Sequence, residues 1–334
     1  MKLKKIYTLI ISVILILCFF SGCDKKVYIT TGLKSDEIFK LSGNPSSVGE
    51  IMLILMTEKN RYEADFGTDI WDYENNNIDI DLEDEIKEKV KKQLARLKTT
   101  TLLAKEHKLV LGDDEKELLE KAAHKYYQSI SEREKELLSV KESDVLSLYT
   151  SFYMADRVYD KLTGDIELEV SDEEARVVKC KYIFISNSNR KEEAMSKASI
   201  AYEQLVAGND FGAIAKKYSD SKEMNAELSR NTVYTEFENA IFSLKSGQLS
   251  GILENKDGYY IFLCVSDYLE AETIANKEKI ADDYKKSQFD KIYNPFEAEQ
   301  TFEFNDKVWD KIDISGYGEV VTDSLYNIYN EYFE

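Results

Sequence analysis

Apolar positions recur at three- and four-residue spacing through most of the first half of the chain, then alternate or run together near its middle. From Leu82 to about Lys108, Ile86, Val90, Leu94, Leu97, Thr101 and Ala104 form one stripe, with Lys and Glu on the opposite face. This spacing predicts a long amphipathic helix. Upstream, Ser46-Ser47-Val48-Gly49-Glu50 carries a capping signal ahead of an apolar helix from Ile51 to about Phe66. Gly112 stops the long helix, and Asp113-Asp114-Glu115 opens the next with acidic groups where the helix dipole favours them. Leu118, Leu119, Ala122, Tyr126 and Ile130 give that helix its stripe. A shorter helix is expected at about Glu132 to Leu138. Another runs from about Glu142 to Leu162, with Val145, Leu148, Phe152, Ala155, Val158 and Tyr159 inward and Gly164 at its end. Lys34 to Leu41 fits a strand, and the Asn- and Asp-rich run from Glu74 to Asp81 fits a loop.

The middle of the chain reads differently. Val177-Val178-Lys179-Cys180-Lys181-Tyr182-Ile183-Phe184-Ile185 and Gly258-Tyr259-Tyr260-Ile261-Phe262-Leu263-Cys264-Val265 are β-rich runs. Two helical segments lie between them, with the phrases Ala207-Gly208-Asn209-Asp210-Phe211, Ala215-Lys216-Lys217-Tyr218-Ser219 and Phe242-Ser243-Leu244-Lys245-Ser246-Gly247-Gln248-Leu249-Ser250. Helix resumes from Glu270 to about Ile292, Phe302 to Trp309 fits a strand or short helix, and the tail is polar and aromatic.

That succession resembles the parvulin-type, PpiC-like peptidyl-prolyl isomerase domain, over about 95 of the 334 residues. The order of helical part, insert and returning helix is similar to extracytoplasmic foldase lipoproteins of the PrsA/SurA-like kind. The fold this implies is α+β: a helical chaperone-like domain built from N- and C-terminal segments, interrupted by a four-stranded antiparallel sheet with helices. The divisions expected are a leader at 1–22, a tether and start at 24–45, helical residues 46–170, the parvulin-like domain at 171–268, and a C-terminal helix and tail at 269–334.

The leader gives the location. Lys2, Lys4 and Lys5 precede an apolar run from Ile6 to Phe20 and the small residues Ser21-Gly22, a secretory signal too short for a comfortable span. Phe20-Ser21-Gly22-Cys23 looks like a bacterial lipobox, which makes Cys23 the lipidated first residue of a protein anchored to the outer face of the cytoplasmic membrane. An uncleaved anchor or ordinary secretion is the alternative. The formal charge is −19, and losing the three leader lysines makes it more negative still. An acidic body of this kind argues against nucleic acid. His107 and His124, the two histidines, read as surface or cap residues and leave little for a histidine metal site. Cys180 and Cys264 fall on the first and last strands of the parvulin-like domain, where the resemblance sets them diagonally; two buried thiols fit better than a disulfide.

Rotation about an Xaa-Pro bond requires no covalent chemistry and no cofactor. It requires an apolar pocket for the ring and polar groups beside a twisted amide. Aligned with the parvulin pattern, the pocket positions fall on Leu228, Val233 and Phe237, all apolar. The two histidines usual in the family's first and last strands are replaced by Tyr182 and Tyr260, and the usual Cys or Asp corresponds to Ser221 or to Asp220. Tyrosine hydroxyls donate and accept, so a Tyr182–Tyr260 pair can replace a histidine pair. The family's Gly-rich turn has become Asn225-Ala226-Glu227-Leu228-Ser229; without glycine it cannot take positive φ cheaply, so the loop over the site must differ.

Two readings follow from the resemblance: an isomerase of weak activity, or a holdase that uses the groove only to bind. A structural partner of one envelope complex is the third. Expected partners are unfolded or newly secreted chains with Xaa-Pro segments, the membrane through Cys23, and a second copy in a homodimer.

Overall fold

This computed structural model describes residues 32–72, 81–188, 190–230 and 232–333. The leader, Cys18, Cys23 with its lipobox, and nearly all of the expected 74–81 loop lie outside them. Seven strands are described: β1 (Glu37–Leu41), β2 (Asn44–Ser47), β3 (Val177–Ser186), β4 (Asn225–Ser229), β5 (Leu253–Glu254), β6 (Gly258–Ser266) and β7 (Phe302–Phe304). The chain divides into two compact units, one from Met1–Leu162 with Lys291–Glu334 and one from Thr163–Asp290. Among the described residues no helix is long and apolar enough to cross a membrane.

The first unit is built round the helix Val48–Phe66, whose Ile51 to Met56 run is wholly buried. A helix apolar on all sides must be surrounded, and the stripes of Leu82–Glu106, Asp113–Ser129 and Glu142–Thr163 contribute to the same core. The capping box forms as the sequence predicts: Ser47 Oγ accepts from Glu50 N–H, and Glu50 accepts from Ser47 N–H. The strand expected within Lys34 to Leu41 is β1, and the sequence reading did not foresee β2, Asn44–Ser47, or the pairing of both with β7 in a three-stranded sheet of order β2-β1-β7. Pro45, lacking an N–H, is tolerated because β2 is an edge strand. The polar, aromatic tail is a docked helix, Leu325–Phe333. Tyr329 donates to Asp156 Oδ2 at 2.8 Å, and Tyr149 donates to the Leu325 carbonyl at 2.8 Å. Much of the aromatic content of this unit is therefore core, with Tyr126, Tyr149 and Tyr293 among the largest fully buried side chains.

The second unit carries the antiparallel sheet β4-β3-β6-β5. Its two faces are separated by the two-residue period of the strands. Ile183, Ile185, Tyr259 and Ile261 lie on one face, against Ala194, Ala198, Ala201 and Leu205 of the helix Lys191–Val206 and against Phe211 and Ile214 of Phe211–Tyr218. The small residues at four- and three-residue spacing let that helix lie close to the sheet. Val178, Cys180, Phe262 and Cys264 lie on the other face with Phe237, Ile241 and Phe242 of a third helix, Thr235–Phe242. The glycine-free stretch 225–229 is β4, paired with β3 through Ala226↔Cys180 and Leu228↔Val178. It contains no positive-φ residue. Cys180 and Cys264 are direct register partners, not diagonal ones, in the same β3–β6 register that pairs Lys181 with Leu263 and Ser186 with Gly258. Both are free thiols.

Candidate functional site

The sheet face that carries the third helix also carries the chemistry. Alternation sends Tyr182 and Phe184 of β3 and Tyr260 and Phe262 of β6 to the same side, and Leu228 of β4 joins them. The segment after Phe211–Tyr218 brings in the hydroxyl of Ser221. Asp220 N–H donates to the Phe184 carbonyl at 2.7 Å, Ser186 N–H to Asp220 Oδ2 at 2.9 Å, and Tyr182 N–H to the Met224 carbonyl at 2.9 Å. These bonds clamp residues 219–224 along β3. Asp220 is held by Ser186 and Lys197, whereas Ser221 faces the cavity.

All six residues named from the sequence, Tyr182, Ser221, Leu228, Val233, Phe237 and Tyr260, line one cavity of about 470 Å³. Phe184, Tyr234 and Phe262, which sequence reasoning did not single out, line it too. Phe262 was open to the period-two pattern that marks Tyr260; Tyr234, alone at a helix start, carried no such signal. Phe237 is 2 % exposed and forms the floor, its ring centroid 5.2 Å from Tyr260, 5.5 Å from Tyr234 and 6.3 Å from Phe262. The helix bearing it is fixed at both sides. Arg230 pairs with Glu238 at 2.8 Å and lies 4.7 Å from the Phe242 ring centroid, and Arg176 donates to the Phe242 carbonyl.

The two tyrosines do not pair with each other. Tyr182 Oη lies 3.3 Å from Ser221 Oγ, whereas the Tyr260 ring packs with its centroid 6.0 Å from that of Tyr234 and 5.2 Å from that of Phe237. The register explains this, since Tyr182 stands opposite Phe262 and Tyr260 opposite Phe184. Burial, then the hydroxyl of Tyr234, push the Tyr260 phenol well above its ordinary range, so it remains a neutral hydroxyl. None of the cavity-lining residues is charged. Aromatic walls with hydroxyls along one side suit a neutral, compact ring and the amide attached to it. Beneath the floor, burial and the neighbouring Cys264 push the Cys180 thiol up to about 12, and burial raises Cys264 as well.

The family description matching residues 177–266 is "Rotamase: PPIC-type PPIASE domain". The chain is similar to the foldase protein PrsA of Caldanaerobacter subterraneus subsp. tengcongensis, 25% identical over 261 residues, which are 72% of this chain and 76% of that one. It is similar also to the foldase protein PrsA 4 of Bacillus cereus, 43% identical over 65 residues, 18% of this chain and 23% of the other. Among solved structures, a peptidylprolyl isomerase (PrsA) from Bacillus cereus matches at 17% identity and a TM-score of 0.38, covering 78% of this chain and 98% of that chain. The chain thus carries a parvulin-type, PpiC-like domain at residues 177–266, within a whole that resembles the PrsA foldases.

Proposed function

We propose that the protein is an extracytoplasmic foldase, lipid-anchored through Cys23, whose parvulin-like cavity takes Xaa-Pro segments of unfolded, newly secreted chains. The observation that carries this reading is the convergence of Leu228, Val233 and Phe237 with the hydroxyls of Tyr182, Ser221 and Tyr260 on one uncharged cavity. In it Leu228, Val233 and Phe237 hold the proline ring, and the three hydroxyls flank the imide. Amide resonance sets a barrier of about 18–20 kcal/mol. Desolvation of the carbonyl and one neutral hydrogen bond formed better to the twisted than to the planar amide lower it by about 1–3 kcal/mol. That corresponds to about five- to 150-fold in rate, a weak isomerase.

A holdase is the second reading, favoured by one observation: tyrosines stand at both positions where the family carries histidine. The two readings share the groove and differ in turnover. A titration of the nitrogen-15-labelled chain from Asp24 to Glu334 with an Ala-Ala-Pro-Phe peptide tests the groove itself. The amide signals of Phe237, Tyr260 and Phe262 are expected to shift, and an analogue with alanine for proline to leave them unmoved. Equal shifts with both peptides, or shifts elsewhere only, would remove the proline pocket from the account.

A further inference from the structure

The bonds of β3 and β6 fix which way β4 turns its backbone. On β6, Phe262 N–H donates to Ser250 Oγ at 2.9 Å and Cys264 N–H to the Gln248 carbonyl at 2.9 Å. The Phe262 and Cys264 carbonyls accept from Ser250 N–H and Gly247 N–H, each at 2.8 Å. Both residues thus bond away from β3. Their partners on β3, Tyr182 and Cys180, bond to the opposite side, where Tyr182 N–H meets the Met224 carbonyl at 2.9 Å. Carried along the β3–β4 register, this alternation gives the backbone groups of Ala226 and Leu228 to Cys180 and Val178. It turns those of Asn225 and Glu227 outward. β4 is the last strand on that side of the sheet, and among the described residues nothing bonds the N–H or carbonyl of Asn225 or Glu227.

An open edge of this kind is a template for another strand, and proteins usually blunt it. In this chain β2 contains Pro45 and β5 is two residues long, whereas β4 has five residues and no proline. One end of β4 is closed. Ser229 N–H donates to Thr232 Oγ1 at 3.0 Å, and the Ser229 carbonyl accepts from Thr232 Oγ1 at 2.7 Å and from its N–H at 3.1 Å. The open stretch therefore runs from Asn225 to Glu227. It borders the cavity, which Ala226 and Leu228 line. The Glu227 side chain points to the other face of the sheet, paired with Lys179 at 3.0 Å.

We propose that β4 is a strand-addition site that aligns a peptide with the cavity, the segment after the proline pairing antiparallel with Asn225–Glu227. The first residue after the proline exchanges both backbone bonds with Glu227, and the third with Asn225. The proline then stands opposite Leu228, at a place in the ladder where an N–H would point away from β4, so its missing donor costs nothing. The two-residue period puts its ring on the Leu228 side of the sheet, which is the cavity side. The residue before the proline falls opposite Ser229, whose backbone groups are already taken. It remains unanchored and free to turn about the Xaa-Pro bond. The placing of the proline rests on the cavity reading above; the pairing with β4 carries its own signature.

That signature is a period of two. The peptide Ala-Ala-Pro-Phe-Ala-Ala-Ala would be titrated into the chain from Asp24 to Glu334, with single N-methyl groups on the first, second and third residues after the proline. Methylation of the first and of the third should each weaken binding about fivefold or more, the loss of one bond to the edge, and methylation of the second should leave it unchanged. Equal losses at all three positions, or none at any, overturn strand addition. Glu227→Pro removes an outward N–H while the bonds to β3 run through Ala226 and Leu228, so it should weaken the unmodified peptide by a similar factor with the Cys180 and Tyr182 amide signals in place. Unchanged affinity with those signals in place also overturns the proposal; if the variant fails to fold, the methyl scan decides alone. Alanine for the proline separates the two readings. An alternating scan with no preference for proline sinks the cavity reading alone, and a proline preference with a flat scan sinks strand addition alone.

Discussion

Gly258 opens β6 at the point where the sheet, the turn and Tyr260 meet, and its replacement by alanine should be severe. Its φ is +155°, and a Cβ there would lie 2.9 Å from Phe184 Cε2 and 3.0 Å from the Ile185 carbonyl carbon, with the oxygen closer still. The Phe184 ring can turn away; the Ile185 backbone cannot, because it is inside the β3–β6 ladder, where Ser186 pairs with Gly258 and Ile185 with Tyr259. The backbone conformation alone costs about 1–3 kcal/mol for a residue with a side chain. Opening the end of the ladder sacrifices about two hydrogen bonds at about 1 kcal/mol each. Together these come to about 3–5 kcal/mol, a large share of the about 5–15 kcal/mol that holds a domain folded. A chain of two units does not melt in one step, so the assay is hydrogen exchange at the amides of Ile183 and Ile261. Protection there should fall about a hundredfold or more. Gly251→Ala, where an added Cβ meets nothing within 4 Å, is the control and should leave protection unchanged. Protection in Gly258→Ala within about threefold of the wild type would mean that β3 yields at no cost, and would refute the close-approach argument.

Two further substitution and labelling results follow. Glu134 is buried, which raises its pKa, but the hydrogen bonds from Ser131 N–H and Oγ and from Val321 and Thr322 N–H outweigh this and hold it below the usual glutamate range. A depressed folded value means stability that is full above the unfolded pKa and is lost as pH falls through the folded one. Glu134→Gln, which turns an NH2 towards one pair of these donors, should cost about 1–3 kcal/mol at pH 7, with the deficit shrinking below about pH 4.5; a deficit independent of pH in urea titrations would contradict it. Cys180 and Cys264 should both resist a maleimide at pH 8 in the folded chain from Asp24 to Glu334 and both react once it is unfolded, as counted by mass spectrometry. Rapid labelling of either in the folded state would refute their burial beneath the cavity floor.

The helices were legible because their signals are local. The stripe from Ile86 to Ala104 and the pairing of Ser47 with Glu50 contain within a few turns all that the structure uses there. The sheet of the second unit was legible from the period of two in β3 and β6, and the resemblance supplied the meaning of Tyr182 and Tyr260. What escaped has its cause at long range. β1 pairs with β7 across more than half the chain, and β2 contains Pro45, which no propensity marks as strand. The β3–β6 register sets the cysteines directly opposite each other, and a register between distant strands leaves no mark in composition. Tyr234 and Asp257 meet from a helix start and a tight turn that Asn255 holds together. Neither has a period, so their contact appears only once the sheet is assembled. The aromatic tail shows the converse: Tyr326, Tyr329 and Phe333 have helical spacing, and the core that receives Tyr329 is what makes it a docked helix.

The central claim, that the cavity both holds proline and eases rotation about the bond before it, is tested most directly by exchange spectroscopy. An Ala-Xaa-Pro-Phe peptide series would be followed by NMR with small amounts of the chain from Asp24 to Glu334, beside Phe237→Ala and Tyr182→Phe. The account predicts faster cis–trans exchange with the wild type, loss of both binding and acceleration with Phe237→Ala, and loss of acceleration with binding retained for Tyr182→Phe. Exchange at the uncatalysed rate for every peptide, with the wild-type fold intact and the peptides bound, would contradict catalysis and leave the holdase reading in its place.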